Sequence, residues 1–315
     1  MSTPRDANGH SQIRAASRAL TEGRLVILPT ETVYGLAADG ADPRAVAALY
    51  AAKRRPRFNP LIAHVPGLAQ ADLLAMLDPR ARRLTEAFWP GPLTLVAPAR
   101  EDCAVCDLAR AGLDTVAVRA PAHPLARAVL EAFGGPVVAP SANRSGRPSP
   151  TTFADAVAET GVAAAVALDG GPCAIGLEST VVALLDGPPR LLRPGAVTRE
   201  QIEAQIGPLA EAGIDARRSP GSMTRHYAPA APVRLDAVAP RAGEAFLAFG
   251  RAPDAAGVFN LSPDRDLAEA AANLFAFLRA ADALGPTAIA VAAIPEDGLG
   301  EAINDRLRRA AGFVG

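Results

Sequence analysis

This chain is almost without lysine. Of its 32 basic residues only Lys53 is one, and the other 31 are arginine. A guanidinium is a planar, permanently charged fork and an ammonium a compact point charge, so the two are not interchangeable at a tight site. Lys53 therefore reads as a position that a guanidinium does not fit. Aromatic residues are few, at 4% of a chain that is 50% hydrophobic, so the cores are expected to be aliphatic. Three cysteines exclude a disulfide framework. Cys103 and Cys106 form a single C-x-x-C with no second pair and no nearby histidine, which leaves a structural zinc site incomplete. Cys173 reads as a small packing residue. No run of 18 apolar residues is present, which argues against a membrane-spanning helix. The polar stretch Met1 to His10 has no apolar segment of the signal-peptide kind, so a cytoplasmic protein is expected. No G-x-x-x-x-G-K-[ST], G-x-G-x-x-G or G-x-S-x-G appears, which excludes a P-loop, a dinucleotide fingerprint and a nucleophile elbow. Neither sign of charge is in excess: net charge is −1, with 21 Lys/Arg against 22 Asp/Glu through Asp215 and 11 of each beyond it. Strong direct binding of nucleic acid is not expected from that balance.

A length of 315 residues suggests two domains. Short apolar runs alternate with helical patterns through the first two hundred residues, which predicts a mixed α/β domain. Strands are expected at Leu25–Leu28, Leu61–Val65, Leu93–Ala97, Thr115–Arg119, Val137–Ala139, Ala164–Leu168, Ser179–Leu185 and Arg190–Leu192. Helices are expected near Ile13–Leu20, Asp72–Leu77, Pro79–Phe88, Pro124–Phe133 and Phe153–Glu159. One more opens at the Asp42-Pro43 cap and runs to Lys53, and another starts near Thr198. Residues 216–232, ARRSPGSMTRHYAPAAP, lose this periodicity and read as a linker. A second, small Rossmann-like α/β pattern follows over 233–315, with strands at Phe246–Phe249, Val258–Leu261 and Ala288–Ala292. Its helices are expected over Asp264–Ala283 and Gly300–Ala310. The expected division is thus 1–215, 216–232 and 233–315.

Four polar segments lie beside apolar elements. Pro29 to Leu36 (PTETVYGL) is either a capped turn or a substrate cradle at a strand end. Lys53 to Pro60 (KRRPRFNP) holds four cations in five residues, more than a helix C-terminus needs for its dipole; two prolines stiffen it as an anion site would require. Ala139 to Ser149 (APSANRSGRPS) offers hydroxyls, an amide, guanidinia and a glycine, either as a polar loop or as a cradle for phosphate and base. The fourth runs from Gly176 through Glu178-Ser179-Thr180 to Arg193-Pro194-Gly195.

Together, PTETVYGL, KRRPRFNPLIAHV, FWPGPLTLV, VAVRAP, APSANRSGRPSPT, ESTVV and LLRPGAV, in this order and spacing, resemble the YrdC-like fold of threonylcarbamoyl-AMP synthases. The segment SPGSMTRHYAP and the tail match the long, two-domain form, so the likeness runs from about Ile13 to the C-terminus. It implies synthesis of L-threonylcarbamoyl-adenylate from L-threonine, bicarbonate or CO2, and ATP, with release of pyrophosphate. The product would feed threonylcarbamoylation of adenosine 37 in tRNA by a downstream transferase complex. ATP would enter as a substrate with Mg2+, and no protein-held metal is implied.

Carried over residue by residue, the family signature K-x-R…S-x-N falls on Lys53, Arg55, Ser141 and Asn143 as the catalytic set. Thr32, His64, Arg119, Ala139 and Ser179 would hold threonine, with Arg119 forking its carboxylate. Arg55, Asn59, Thr115, Ser141, Ser149, Arg193 and Tyr227 would contact ATP, and Lys53 would stand against the reacting phosphates or carbamate. Tyr227 would fold over the site from the linker. Glu31 is open between orienting its loop and assisting a proton transfer, and His64 between a ligand and a strand-end core residue. One departure from the family pattern is Ser222 where SPGM has methionine. Competing readings are an RNA-binding YrdC-like module, and a carbamoyl transferase of hydrogenase-maturation type, whose acylphosphatase and zinc-finger segments have no room here.

Overall fold

The structure, a computed structural model, describes residues 4–211 and 226–312. The first part of the linker, including the departure at Ser222, lies outside the described residues. Ten strands build one mixed sheet: β1 (Leu25–Leu28), β2 (Gly35–Asp39), β3 (Ile62–His64), β4 (Leu93–Pro98), β5 (Thr115–Arg119), β6 (Val137–Val138), β7 (Ala164–Ala167), β8 (Thr180–Ala183), β9 (Arg190–Arg193) and β10 (Ala210–Glu211). Their spatial order is β10-β9-β8-β4-β5-β3-β6-β2-β1-β7. Nearly all residues of β1, β2, β4, β5 and β8 are buried, so these strands are short apolar runs rather than alternating ones.

Local chemistry explains most helix limits. Asp42, Asp78 and Thr152 each cap a helix by accepting a backbone N–H, and the first two are followed by proline at the opening position. Thr198 and Gln201 close a full capping box on the helix Arg199–Ile206. The helix expected over Asp72–Leu77 does not form. A single turn spans Leu68–Ala71, and Ala75 bridges to Ala99 at the sheet margin. The cap at Asp78 then starts the next helix anew, so six residues have no length in which to repay helix nucleation. β2 begins inside the PTETVYGL segment, at Gly35, where the sequence offers only a turn or a cradle at a strand end.

The C-terminal module is a four-stranded, all-parallel sheet of β11 (Val233–Arg234), β12 (Ala245–Ala248), β13 (Val258–Asn260) and β14 (Ile289–Val291), ordered β11-β14-β12-β13. Helices Leu267–Ala283 and Leu299–Ala311 pack with it. The core of this module does not stop at its own residues. Val33 and Leu177 from the first part of the chain, and Tyr227 from the linker, are buried in the same apolar cluster as Leu274, Phe275 and Ile303. Among the described residues, no helix is long and apolar enough to cross a membrane.

Candidate active site

A pocket of about 510 Å³, counted out to its open mouth, lies between the first domain and the linker residues His226 and Tyr227. Thr32, Arg55, His64, Arg119, Ala139, Ser141, Ser179, Arg193 and Tyr227 all line it, although they come from seven separate segments of sequence. Lys53, Asn59, Thr115, Asn143 and Ser149 are not on its lining, and each of the five is buried.

One wall is organised by Arg119, at the end of β5. Its Nε donates to the Gly91 carbonyl at 3.2 Å, Nη1 to the Thr32 hydroxyl at 2.9 Å and Nη2 to Glu31 at 2.6 Å. The other Glu31 oxygen accepts from the backbone N–H groups of Ala122 and His123. Burial pushes the Glu31 carboxyl up, but the charge and hydrogen bonds of Arg119 prevail and hold it below the ordinary glutamate value. Both oxygens are thus engaged in orienting the wall. Thr30 closes the turn by bonding the Thr32 hydroxyl at 2.8 Å and the Val33 carbonyl at 2.6 Å. His64 ends β3. Burial, with the nearby Arg119 charge, lowers its pKa to about 3, so the ring is neutral at physiological pH. Its Nδ1 lies 3.1 Å from the Ile62 carbonyl, which favours the tautomer with the proton on that nitrogen.

A second part of the lining carries Arg55, Glu178, Arg193 and Tyr227. Arg193 donates to the Ser179 carbonyl at 2.9 Å and to its hydroxyl at 3.1 Å. Ser179 also shares a 2.7 Å bond with Thr94. Burial pulls Arg193 down from the usual arginine value, and Arg55 to about 10. Glu178 accepts from the Ser149 hydroxyl through one oxygen and from Arg306 at 3.0 Å through the other. Burial opposes its ionisation, while Arg306, Arg193 and Ser149 together keep it below the usual carboxylate value. Tyr227 adopts a positive φ of 61°. Its ring lies 5.3 Å from Phe275 and 3.9 Å from His226, centroid to centroid. Ala228 N–H bonds the Gly146 carbonyl at 2.7 Å, which ties the linker to the APSANRSGRPS loop.

Lys53, at the end of its helix, points its ammonium at the carbonyl oxygens of Ser141 and Asn143. Its own carbonyl accepts from Ser145 N–H at 2.8 Å. Arg54 follows in the left-handed region, φ 50°, and turns the chain out of the helix. Burial, aided by Arg55, lowers the Lys53 pKa well below its ordinary value. The lone lysine therefore holds the backbone that carries Ser141 and Asn143.

Sequence reasoning did not assign a role to Glu178, nor mention Arg306. Arg306 carried a signal nonetheless: it interrupts the apolar stripe Ala302, Ile303, Leu307 and Ala310 on its helix, where a solvated arginine has no place.

The geometry is that of a two-domain YrdC-like protein whose pocket combines an anchored arginine, a neutral histidine and a cationic second wall. The family model described as "Telomere recombination" (Sua5_yciO_yrdC) matches residues 18–195, and that described as "Threonylcarbamoyl-AMP synthase, C-terminal domain" matches 197–312. The chain is 41% identical to the threonylcarbamoyl-AMP synthase of Pyrococcus abyssi over 96% of this chain and 94% of the relative. It is 40% identical to that of Bacillus subtilis over 96% and 93%. The crystal structure of P. abyssi Sua5 complexed with L-threonine superposes with a TM-score of 0.89, at 40% identity, over 96% of this chain and 94% of that one. The chain belongs to the threonylcarbamoyl-AMP synthase family.

Proposed function

We propose that this chain condenses L-threonine, CO2 or bicarbonate, and ATP into L-threonylcarbamoyl-adenylate, releasing pyrophosphate. The observation that carries the reading is the convergence, in one pocket, of Thr32, His64 and Arg119 on one wall with Arg55, Arg193 and Tyr227 on the other. The threonine amine captures CO2 as a carbamate. A carbamate oxygen then attacks the α-phosphorus, and the bond to the β-phosphate bridging oxygen breaks. Such a transfer asks the protein for positioning and charge neutralisation more than for covalent help.

Arg119 uses one N–H on each of its three nitrogens within the wall, and a guanidinium has five, which leaves two for the threonine carboxylate. The neutral His64 Nε2 supplies an acceptor for the threonine amine or hydroxyl, and Ser179 and Ala139 complete that side. Arg55, Ser141, Arg193 and Tyr227 face the nucleotide. Asn59, Thr115, Asn143 and Ser149, buried off the lining, hold the segments that face it. Lys53 acts through the carbonyls of Ser141 and Asn143. Among the described residues no three His, Cys, Asp or Glu side chains could hold a metal ion together. Mg2+ would enter with ATP, on its triphosphate. Residues 1–215 form the catalytic unit in this reading, 216–232 the strap over the pocket and 233–315 a supporting module. The adenylate would pass in the cytoplasm to a tRNA-modifying transferase complex.

The reading is tested by pyrophosphate release from the purified chain. Release should require ATP, threonine and bicarbonate together. Release that persists without threonine overturns it.

A further inference from the structure

Arg306 belongs to the C-terminal module, yet its guanidinium ends directly behind residues that line the pocket. It is fully buried. Nε donates to Glu178 at 3.0 Å, and Nη1 donates to the Pro194 carbonyl at 2.8 Å and to Asp305 at 2.9 Å. The guanidinium carbon stands 5.5 Å from the centre of the Tyr227 ring, within cation–π range. Three of these four contacts, all but Asp305, lie on the pocket lining or next to it in the chain. Glu178 lines it and receives the Ser149 hydroxyl on its other oxygen, Pro194 follows Arg193, and Tyr227 is itself part of the lining. Arg306 does not line the pocket.

Stability alone is a poor reason for such a group. A buried ion pair forfeits the hydration of both charges, and well-packed apolar residues in its place are often as stable or more so. What a guanidinium does offer is geometry: one rigid fork reaches a carboxylate, a carbonyl and an aromatic face at once, which an ammonium cannot. We propose that Arg306 is a positioning residue for the nucleotide wall, through which docking of the C-terminal module sets the placement of Glu178, Arg193 and Tyr227 and hence the affinity for ATP. The Arg119 anchor of the threonine wall needs no such help, because it is held by Glu31, Thr32 and Gly91 within the first domain, and that side meets the nucleotide wall where Arg193 bonds Ser179. This inference rests on the synthase reading above.

The test compares Arg306→Met and Arg306→Lys with the wild-type chain. It measures affinity for the non-hydrolysable α,β-methylene analogue of ATP and, separately, for L-threonine, together with the thermal melting of each variant. Arg306→Met should weaken binding of the analogue tenfold or more and leave threonine affinity within about twofold. Arg306→Lys keeps the charge beside Glu178 but not the fork, so it should fold even where the methionine variant does not, and should show a smaller loss in the same direction. Unchanged analogue affinity in the lysine variant and in any folded methionine variant overturns the proposal. So does a loss of analogue and threonine binding in equal measure, which is the mark of a merely structural role. Failure of the synthase reading is separate: it appears in the wild-type chain as pyrophosphate release that ignores threonine, whatever the two variants do.

Discussion

Both walls of the pocket rest on a buried carboxylate–guanidinium pair, but the two pairs are built on different scales. Glu31 and Arg119, 2.6 Å apart with side chains 12% and 4% exposed, belong to one sheet and its connecting turn. Glu178 and Arg306, 3.0 Å apart and 8% and 0% exposed, join two domains. The chemistry is the same and the dependence is not. The first wall takes its ion pair from the ten-stranded sheet and its turn alone, although Val33, beside Thr32, also packs into the core of the module. The second also requires the parallel module to dock, with Leu177 inserted in its core and Tyr227 stacked on Phe275. A site arranged in this way can hold its amino-acid side ready while its nucleotide side answers to an interdomain contact.

The comparison is broken most severely at Glu31. Glu31→Gln would leave the Arg119 charge buried without its counterion, a class of change that costs about 3–5 kcal/mol. Denaturant unfolding should show that loss, and threonine affinity should fall more than affinity for an ATP analogue. The pH dependence has a definite sign. The native Glu31 carboxyl titrates below its unfolded value, so its contribution is present above the ordinary glutamate pKa and is lost as pH falls through the lower native one. The gap between wild type and variant should therefore narrow in acid. A gap that widens as pH falls would show that Glu31 is not ionised in this wall.

Lys53 sharpens the contrast, since it serves the segment bearing Ser141 rather than either ion pair. Its ammonium is buried against two backbone carbonyls, with no carboxylate bonded to it among the described residues. Lys53→Arg preserves the charge and adds bulk to a filled space, where overpacking alone costs about 1–3 kcal/mol. The expected loss in kcat/KM is at least ~2 kcal/mol of transition-state stabilisation, roughly 30-fold. Near-wild-type turnover would mean that a guanidinium fits where the structure leaves it no room.

How far the molecule could be read from its sequence follows the same divide. The helices Pro79–Phe88 and Pro124–Phe133 and the strand Thr115–Arg119 were legible because their signals are local: an N-cap with proline behind it, or a β-branched run with a clear end. β2 is not legible because Gly35-Leu36-Ala37-Ala38-Asp39 has neither alternation nor β-branched residues, and only its antiparallel pairing with β1 and β6 makes it a strand. Lys53 was visible as a compositional oddity. Its partners, 88 and 90 residues further along the chain, were not. Glu178 and Arg306 are 128 residues apart, and nothing in either neighbourhood names the other. What the sequence did hold was the misfit: a charge on the apolar face of the last helix.

The mildest break falls on the second wall, at Gly176. This residue has φ +77°, and a Cβ there would lie 2.5 Å from the Ala271 carbonyl oxygen and 2.5 Å from the Ala272 Cα. Both atoms are backbone of the helix Leu267–Ala283, which cannot yield as a flexible side chain would. Glycine lets the chain beside Leu177 and Glu178 touch the module directly, and any side chain must hold the two apart. Gly176→Ala should cost about 1–3 kcal/mol in strain and lost packing. The loss should appear as earlier melting of the module and as weaker binding of an ATP analogue. Threonine affinity should fall less, because the neighbouring Ile175 reaches the threonine side through an N–H bond to the Glu31 carbonyl, 2.9 Å, while Arg119 keeps its own anchors. If threonine binding fell as far as nucleotide binding, the two walls would have to be regarded as one mechanical unit.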